Sequence, residues 1–138
     1  MSAKDLFHEL VKESLLEEGW KVTHDPYRIE LEFTALYIDL GAERVIAAER
    51  NQEKIAVEIK SFVAPSIMSE FHSAIGQFIN YRLALEDEDP TRKLYLAVPE
   101  ETYDRFFHYA FIQKSIDRNE VPLMIYSTSS PRIVRWIS

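Results

Sequence analysis

A single mixed α/β domain spanning 1–138 is the fold class that the sequence predicts, and three observations point to it. The 138 residues, 46% hydrophobic and 28% charged, are enough to bury one core without disulfides or a structural metal. Two amphipathic helical patterns bracket a stretch in which apolar residues alternate with polar ones at strand spacing. Finally, Leu94-Tyr-Leu-Ala-Val98 is a nearly continuous apolar run of strand length, as expected for a strand covered on both faces at the sheet centre.

The elements follow in order. Ser2 can cap a first helix with Asp5 in the capping-box position, and Leu6, Phe7, Leu10, Val11 and Leu15 recur at helical spacing until Gly19 stops it. Trp20 to His24 and Ile29 to Phe33 read as half-buried strands separated by a turn at Asp25-Pro26. Leu36 to Leu40 reads as another strand, interrupted at Gly41. Val45 to Arg50 and Lys54 to Lys60 are expected to form a hairpin about Asn51-Gln52-Glu53. After Pro65 comes the longest helix, capped by Ser66 and carrying Ile67, Phe71, Ala74, Ile75, Phe78, Ile79, Arg82 and Leu85. Beyond Leu94 to Val98, residues Glu100 to Arg118 should form one or two helices, and Val121 to Tyr126 and Arg132 to Ile137 the last strands.

Composition excludes several classes of function. With no cysteine there is no disulfide framework, thiol nucleophile or thiolate metal site. Three glycines leave no phosphate-binding glycine loop, there is no nucleophile-elbow signature, and His8, His24, His72 and His108 lack paired metal-ligand spacing. Trp20, Trp136 and the Phe106-Phe107 pair are expected in the core rather than as base-stacking platforms. No membrane-length apolar run and no signal-like start are present, so a soluble, cytoplasmic protein is expected. The net charge of −7 argues against coating nucleic acid by bulk electrostatics. The acid is concentrated in residues 1–90, with 9 Lys+Arg against 18 Asp+Glu, whereas residues 91–138 hold 7 and 5.

The chemistry-bearing segment is Ile55-Ala-Val-Glu-Ile-Lys60, where strand alternation sets Glu58 and Lys60 on one face and Ile55, Val57 and Ile59 on the other. Together with Asp39 from an earlier strand, this acid and amine form a grouping suited to metal-dependent phosphodiester cleavage. Two carboxylates and a main-chain carbonyl can hold Mg²⁺ or Mn²⁺, and a lysine can orient water or stabilise developing charge. A Glu-x-Lys triplet also arises by chance on a solvated strand face. Register bears on the grouping. A two-residue turn at Asn51-Gln52 makes paired positions sum to 103, sets Glu58 opposite Val45 and leaves Asp39 six residues away. Asp39 then reaches the site only through a bulge at Gly41 to Glu43; otherwise Glu43 or Glu49 is the second carboxylate.

The arrangement of Asp39, Glu58 and Lys60 ahead of a long helix and a buried strand resembles the PD-(D/E)xK nuclease superfamily. That resemblance implies a restriction-endonuclease-like core, a central mixed β-sheet flanked by helices in the order α-β-β-β-α-β, here with added C-terminal strands. It also implies an extra acid from the first helix, Glu9, and a polar residue from the long helix, Gln77. Longer blocks, Ser2-Ala-Lys-Asp-Leu-Phe-His8, Tyr37-Ile-Asp-Leu-Gly-Ala-Glu43, Ile55 to Phe62, Ser69-Glu-Phe-His72 and Gly76 to Leu85, closely resemble the XisH family. This implies a role in controlling site-specific excision of the fdxN DNA element during heterocyst differentiation in filamentous cyanobacteria, with DNA and a small protein, XisI, as partners. The alternative is a non-catalytic recombination accessory, or an XisI-interaction protein, on a nuclease scaffold.

Overall fold

The computed structural model describes residues 3–46 and 51–138. It contains α1 (Ala3–Glu17), β1 (Lys21–His24), β2 (Tyr27–Glu30), β3 (Ala35–Ile38), β4 (Leu40–Ile46), β5 (Asn51–Ile59), α2 (Ile67–Glu88), β6 (Arg92–Pro99), α3 (Glu100–Phe106), α4 (Ala110–Arg118), β7 (Leu123–Tyr126) and β8 (Ile133–Ile137). Six strands form one mixed sheet in the order β1-β4-β5-β6-β7-β8, and β2 and β3 pair separately. The inner strands β5, β6 and β7 are parallel, and the outer pairings are antiparallel. This α/β architecture is compatible with a restriction-endonuclease-like core. No helix among the described residues is long and apolar enough to cross a membrane.

Strand alternation separates two cores. Leu40, Ala42, Ile55, Val57, Tyr95, Ala97, Met124 and Tyr126 face Val11 and Leu15 of α1. Ala56, Leu94, Leu96, Val98, Leu123 and Ile125 face Phe71, Ala74 and Phe78 of α2, together with Phe107 and the buried side of α4. The apolar run at 94–98 is buried throughout, and Trp20 and Phe107 are core residues as expected. Helix α1 stops where expected: Gly19 adopts φ 87°, Trp20 N–H donates to Leu15 O and Gly19 N–H to Leu16 O, the two bonds of a Schellman stop. The expected Ser2 cap lies outside the described residues. Ser66 caps α2 by accepting from Ser69 N at 3.1 Å.

Two expectations about the central hairpin are corrected. Asn51, Gln52 and Glu53 are strand residues rather than a turn, and Ile46 pairs with Asn51 and Leu40 with Val57, so paired positions sum to 97 rather than 103. Asn-Gln is a weak turn signal, and this longer pairing sets Leu40 directly opposite Val57 and Ala42 opposite Ile55, all four in one buried cluster. Residues 47–50, including the candidate Glu49, lie outside the described residues. Nor does Gly41 interrupt a strand: it lies within β4, paired with Ala56 on one side and His24 on the other. A Cβ there would sit 2.8 Å from Tyr27 Cδ2 and 3.1 Å from His24 Cβ, so glycine lets the β1–β2 corner lie directly on β4.

Candidate active site

The corrected register builds the site. Continuing the β4–β5 pairing by one residue sets Asp39 opposite Glu58, without the bulge that the earlier turn position required. Two bonds tie them: Asp39 Oδ2 accepts from Ile59 N at 2.8 Å, and Asp39 N–H points at Glu58 Oε1 at 3.4 Å. Lys60, one step past the end of β5 on the Glu58 side, places its Nζ 3.6 Å from Glu58 Oε2 and donates to Gln77 Oε1 of α2 at 2.5 Å. Thus Asp39, Glu58, Lys60 and Gln77 are brought together by the ends of two strands and one helix.

Each position has a local cause. Lys60 N–H donates to Ala97 O on β6, and Tyr126 OH at the end of β7 donates to Lys60 O at 3.3 Å, so the chain is pinned where it leaves the sheet. Beyond Lys60 the backbone turns through Phe62 at φ 54°, and Glu70 of α2 accepts from Phe62 N at 3.1 Å and Ala64 N at 3.2 Å. These bonds fasten the loop between the Glu-x-Lys strand and the helix that carries Gln77.

Glu58 is only 6% exposed. Burial, followed by the negative charge of Asp39, pushes its pKa up to about 8, although Lys60 pulls the other way. The same two carboxylates help burial to raise the Tyr81 phenol, one helical turn after Gln77. The contacts to the Glu58 oxygens, at 3.4 and 3.6 Å, are long for a buried carboxylate. A buried carboxyl whose own contacts are long, facing the Asp39 carboxylate, is a donor set suited to a hard divalent cation, which prefers oxygen ligands and retains water. Asp39, Glu58 and a main-chain carbonyl would hold it.

The other acids stand elsewhere. Glu9 is exposed on α1, in a groove with Asp5, Leu6, His8 and Glu13, and does not join Asp39 and Glu58. No group of three or more His, Cys, Asp or Glu among the described residues is arranged to hold a metal ion. The three-acid set expected from Asp39, Glu58 and Glu9 is therefore reduced to two, because α1 presents that side of its surface to solvent. Glu43 accepts from Arg92 at 3.0 Å and from Gln52, four residues along β4 from Asp39, and is engaged in holding strands together.

Sequence reasoning did not find Tyr81, Tyr126 or the cleft that Lys4, Phe7 and His8 form with Asp39, Ile59 and Ser61. Tyr81 could have been found by its i, i+4 relation to Gln77. Tyr126 could have been found only once β7 was known to run parallel to β6. His8 Nε2 donates to Asp25 Oδ1 at 2.8 Å, and Lys12 donates to the other oxygen at 2.9 Å, which clamps α1 to the β1–β2 corner and fixes the cleft wall.

With this geometry established, comparisons with known proteins are informative. The family model described as XisH protein matches residues 1–134. The crystal structure of an XisH family protein from Nostoc punctiforme PCC 73102 is 46% identical, with a TM-score of 0.88 over 97% of this chain and 100% of that one. A fdxN element excision controlling factor protein from Anabaena variabilis is 44% identical, with a TM-score of 0.88 over 97% of this chain and 99% of that one. The comparison with curated protein sequences gives no match.

Proposed function

The chain belongs to the XisH family, and on that footing we propose that it is a controlling factor for excision of a DNA element, with a divalent-cation-dependent phosphodiester-cleaving site at Asp39, Glu58 and Lys60. The observation that carries the catalytic part is the facing of buried Glu58 and Asp39 across β4 and β5, with the Lys60 ammonium beside them. Excision control rests on the likeness to the Anabaena variabilis protein.

The residues divide the work. Asp39 and Glu58 would hold Mg²⁺ or Mn²⁺, which when bound polarises a phosphoryl oxygen and lowers the pKa of a coordinated water. Lys60, held by Gln77, keeps a positive charge beside the carboxylates, where a phosphodiester in transition gains negative charge. Tyr126 and Glu70 hold the strand end and the following loop, so that the ammonium keeps its place. Without the cation two carboxylates repel a phosphate backbone, so tight DNA binding is expected to require the cation or a protein partner.

The net charge of −7 favours a second reading, in which the chain is a non-catalytic factor that acts on DNA through a partner such as XisI. The two are separated by incubating wild type, Glu58→Ala and Lys60→Met with supercoiled and linear DNA in Mg²⁺ or Mn²⁺, alongside calorimetric titration of each metal. Under the catalytic reading, wild type binds metal and cuts, Glu58→Ala does neither, and Lys60→Met binds metal but loses cleavage by orders of magnitude. Because Lys60 is mostly buried beside Glu58 and Gln77, its replacement should also cost folding stability, more than the ~1 kcal/mol of an exposed pair, so circular dichroism must show the variant folded before its cleavage is compared. Cleavage by Lys60→Met at the wild-type rate, or wild type that binds no metal, would leave the partner-binding reading.

A further inference from the structure

Helix α1 carries its charges in two neighbouring stripes. Lys4, His8 and Lys12 recur every four residues along one line, and Asp5, Glu9 and Glu13 along the next. The two lines meet different surroundings. Asp25 at the β1–β2 corner takes up both His8, at 2.8 Å, and Lys12, at 2.9 Å. Lys4, one turn before His8, reaches past that clamp to line the cleft with Asp39, Ile59 and Ser61, and it joins none of the ion pairs among the described residues. The acidic line borders a separate groove on the outer side of His8.

The cleft is small, about 250 Å³, and lies where β5 leaves the sheet. Strand alternation explains why it adjoins the Glu58–Lys60 face without being part of it. Glu58 and Lys60 point toward α2, whereas Ile59 packs with the core beneath α1 and Ser61 lines the cleft. Asp39 belongs to both sides, because its Oδ2 turns across the strand end to accept from Ile59 N at 2.8 Å. Phe7 and Ile59 give the cleft apolar walls, the Phe7 ring set edge-on to Tyr126 at 6.3 Å. Its polar groups besides Asp39 and the clamped His8 are an ammonium and a hydroxyl, and lysine and serine are both common phosphate contacts.

Taking Asp39 and Glu58 as the place where a phosphodiester is attacked, we propose that this cleft receives the neighbouring phosphate of the same strand, with the Lys4 ammonium as its counter-charge and the Ser61 hydroxyl as a donor. The scissile group then lies between two cations, Lys60 toward α2 and Lys4 toward α1. Charge also selects the form of the nucleic acid. A cleft of about 250 Å³ admits the backbone of one strand, and a second backbone laid over α1 meets Asp5, Glu9 and Glu13. The ligand is therefore a single strand or an unpaired end rather than a continuous duplex. Lys4 holds a phosphate that does not react, so its contact is the same before and during the chemical step and acts on KM rather than on kcat.

Fluorescence anisotropy with a fluorescein-labelled oligothymidylate decamer in Ca²⁺, another cation that takes oxygen ligands, measures the contact apart from cleavage. Lys4→Gln should weaken binding about tenfold and lower the slope of log affinity against log salt by about 0.7, the share of one phosphate contact on a single strand. Lys114→Gln, which removes the same charge from α4 outside the cleft, should alter neither. Lys4 is exposed, so the circular dichroism of Lys4→Gln should remain native. Annealing the strand to its complement should weaken binding. In Mg²⁺, Lys4→Gln should raise KM for the single strand with kcat little changed. A wild type that binds no strand, wild-type affinity or salt slope in Lys4→Gln, an equal loss in Lys114→Gln, or a duplex bound as tightly as the single strand overturns the proposal. Its outcome is separable from that of the catalytic reading on which it rests. Lys4-dependent binding by a protein that does not cut supports the cleft and removes the cleavage, whereas cleavage with an unaltered KM in Lys4→Gln does the reverse.

Discussion

Glu58 illustrates how a single buried residue can oppose folding. It is placed by β5 in a buried position opposite another acid, and its carboxyl is pushed to about 8 by burial first and the Asp39 charge second. In the unfolded chain it titrates in the ordinary carboxyl range, near 4.5. Between about 4.5 and about 8 the folded protein keeps a proton that the unfolded chain releases, so this group's contribution to stability falls as pH rises through that window. Glu58→Gln keeps the shape and removes the charge. Metal-free melting curves should therefore show the variant more stable than wild type at pH 8, with the difference nearly gone at pH 4.5. A difference independent of pH would mean that the group does not titrate in this way.

At the scale of elements, the site depends on a long β4–β5 pairing and on how closely the β1–β2 corner can lie on β4. Gly41 is the point of contact, and a Cβ there meets Tyr27 Cδ2 at 2.8 Å and His24 at 3.1 Å. The Tyr27 ring also packs on His24 and beneath the Arg92 guanidinium, which leaves it little room to retreat. Gly41→Ala should therefore cost about 1–3 kcal/mol in urea unfolding, the usual penalty for overpacking. Because Asp39 is two residues away, the variant should also weaken divalent-metal binding if Asp39 and Glu58 hold a cation as proposed. A cost below about 0.5 kcal/mol would show that the corner yields easily.

Across the whole molecule, Arg92 joins the sheet to the layer above it. From β6 its guanidinium donates to Ile55 O of β5 at 2.9 Å and to Glu43 of β4 at 3.0 Å, reaches Asp89 before the strand, and stacks over Tyr27 of β2 at 4.8 Å. The side chain is almost fully buried. Removing one member of a buried ionic group leaves its partners uncompensated, so Arg92→Ala should lose about 3–5 kcal/mol. Arg92→Lys should recover only part, since an ammonium cannot reproduce the planar fork. Denaturant midpoints at neutral pH measure both, and a loss under 1 kcal/mol for the alanine variant would show that the group contributes little.

Local chemistry was enough for much of this. Helical spacing and the Ser66 cap placed α2, Gly19 placed the end of α1, and the unbroken apolar run at 94–98 marked a strand buried on both faces, because each of these signals acts within a few residues. Strand alternation likewise put Glu58 and Lys60 on one side of β5. What the sequence could not decide was which residue lies opposite which. The register that brings Asp39 to Glu58 is set by the burial of Leu40 and Ala42 with Ile55 and Val57 across two strands and under α1, not by the weak turn signal at Asn51-Gln52. The engagement of Glu43 by Arg92, 49 positions along the chain, and of Lys60 by Tyr126, 66 positions along, likewise depends on the parallel order β5-β6-β7. Periodicity names the face a side chain takes; its neighbour there is chosen by packing between segments distant in sequence, which only the tertiary structure decides.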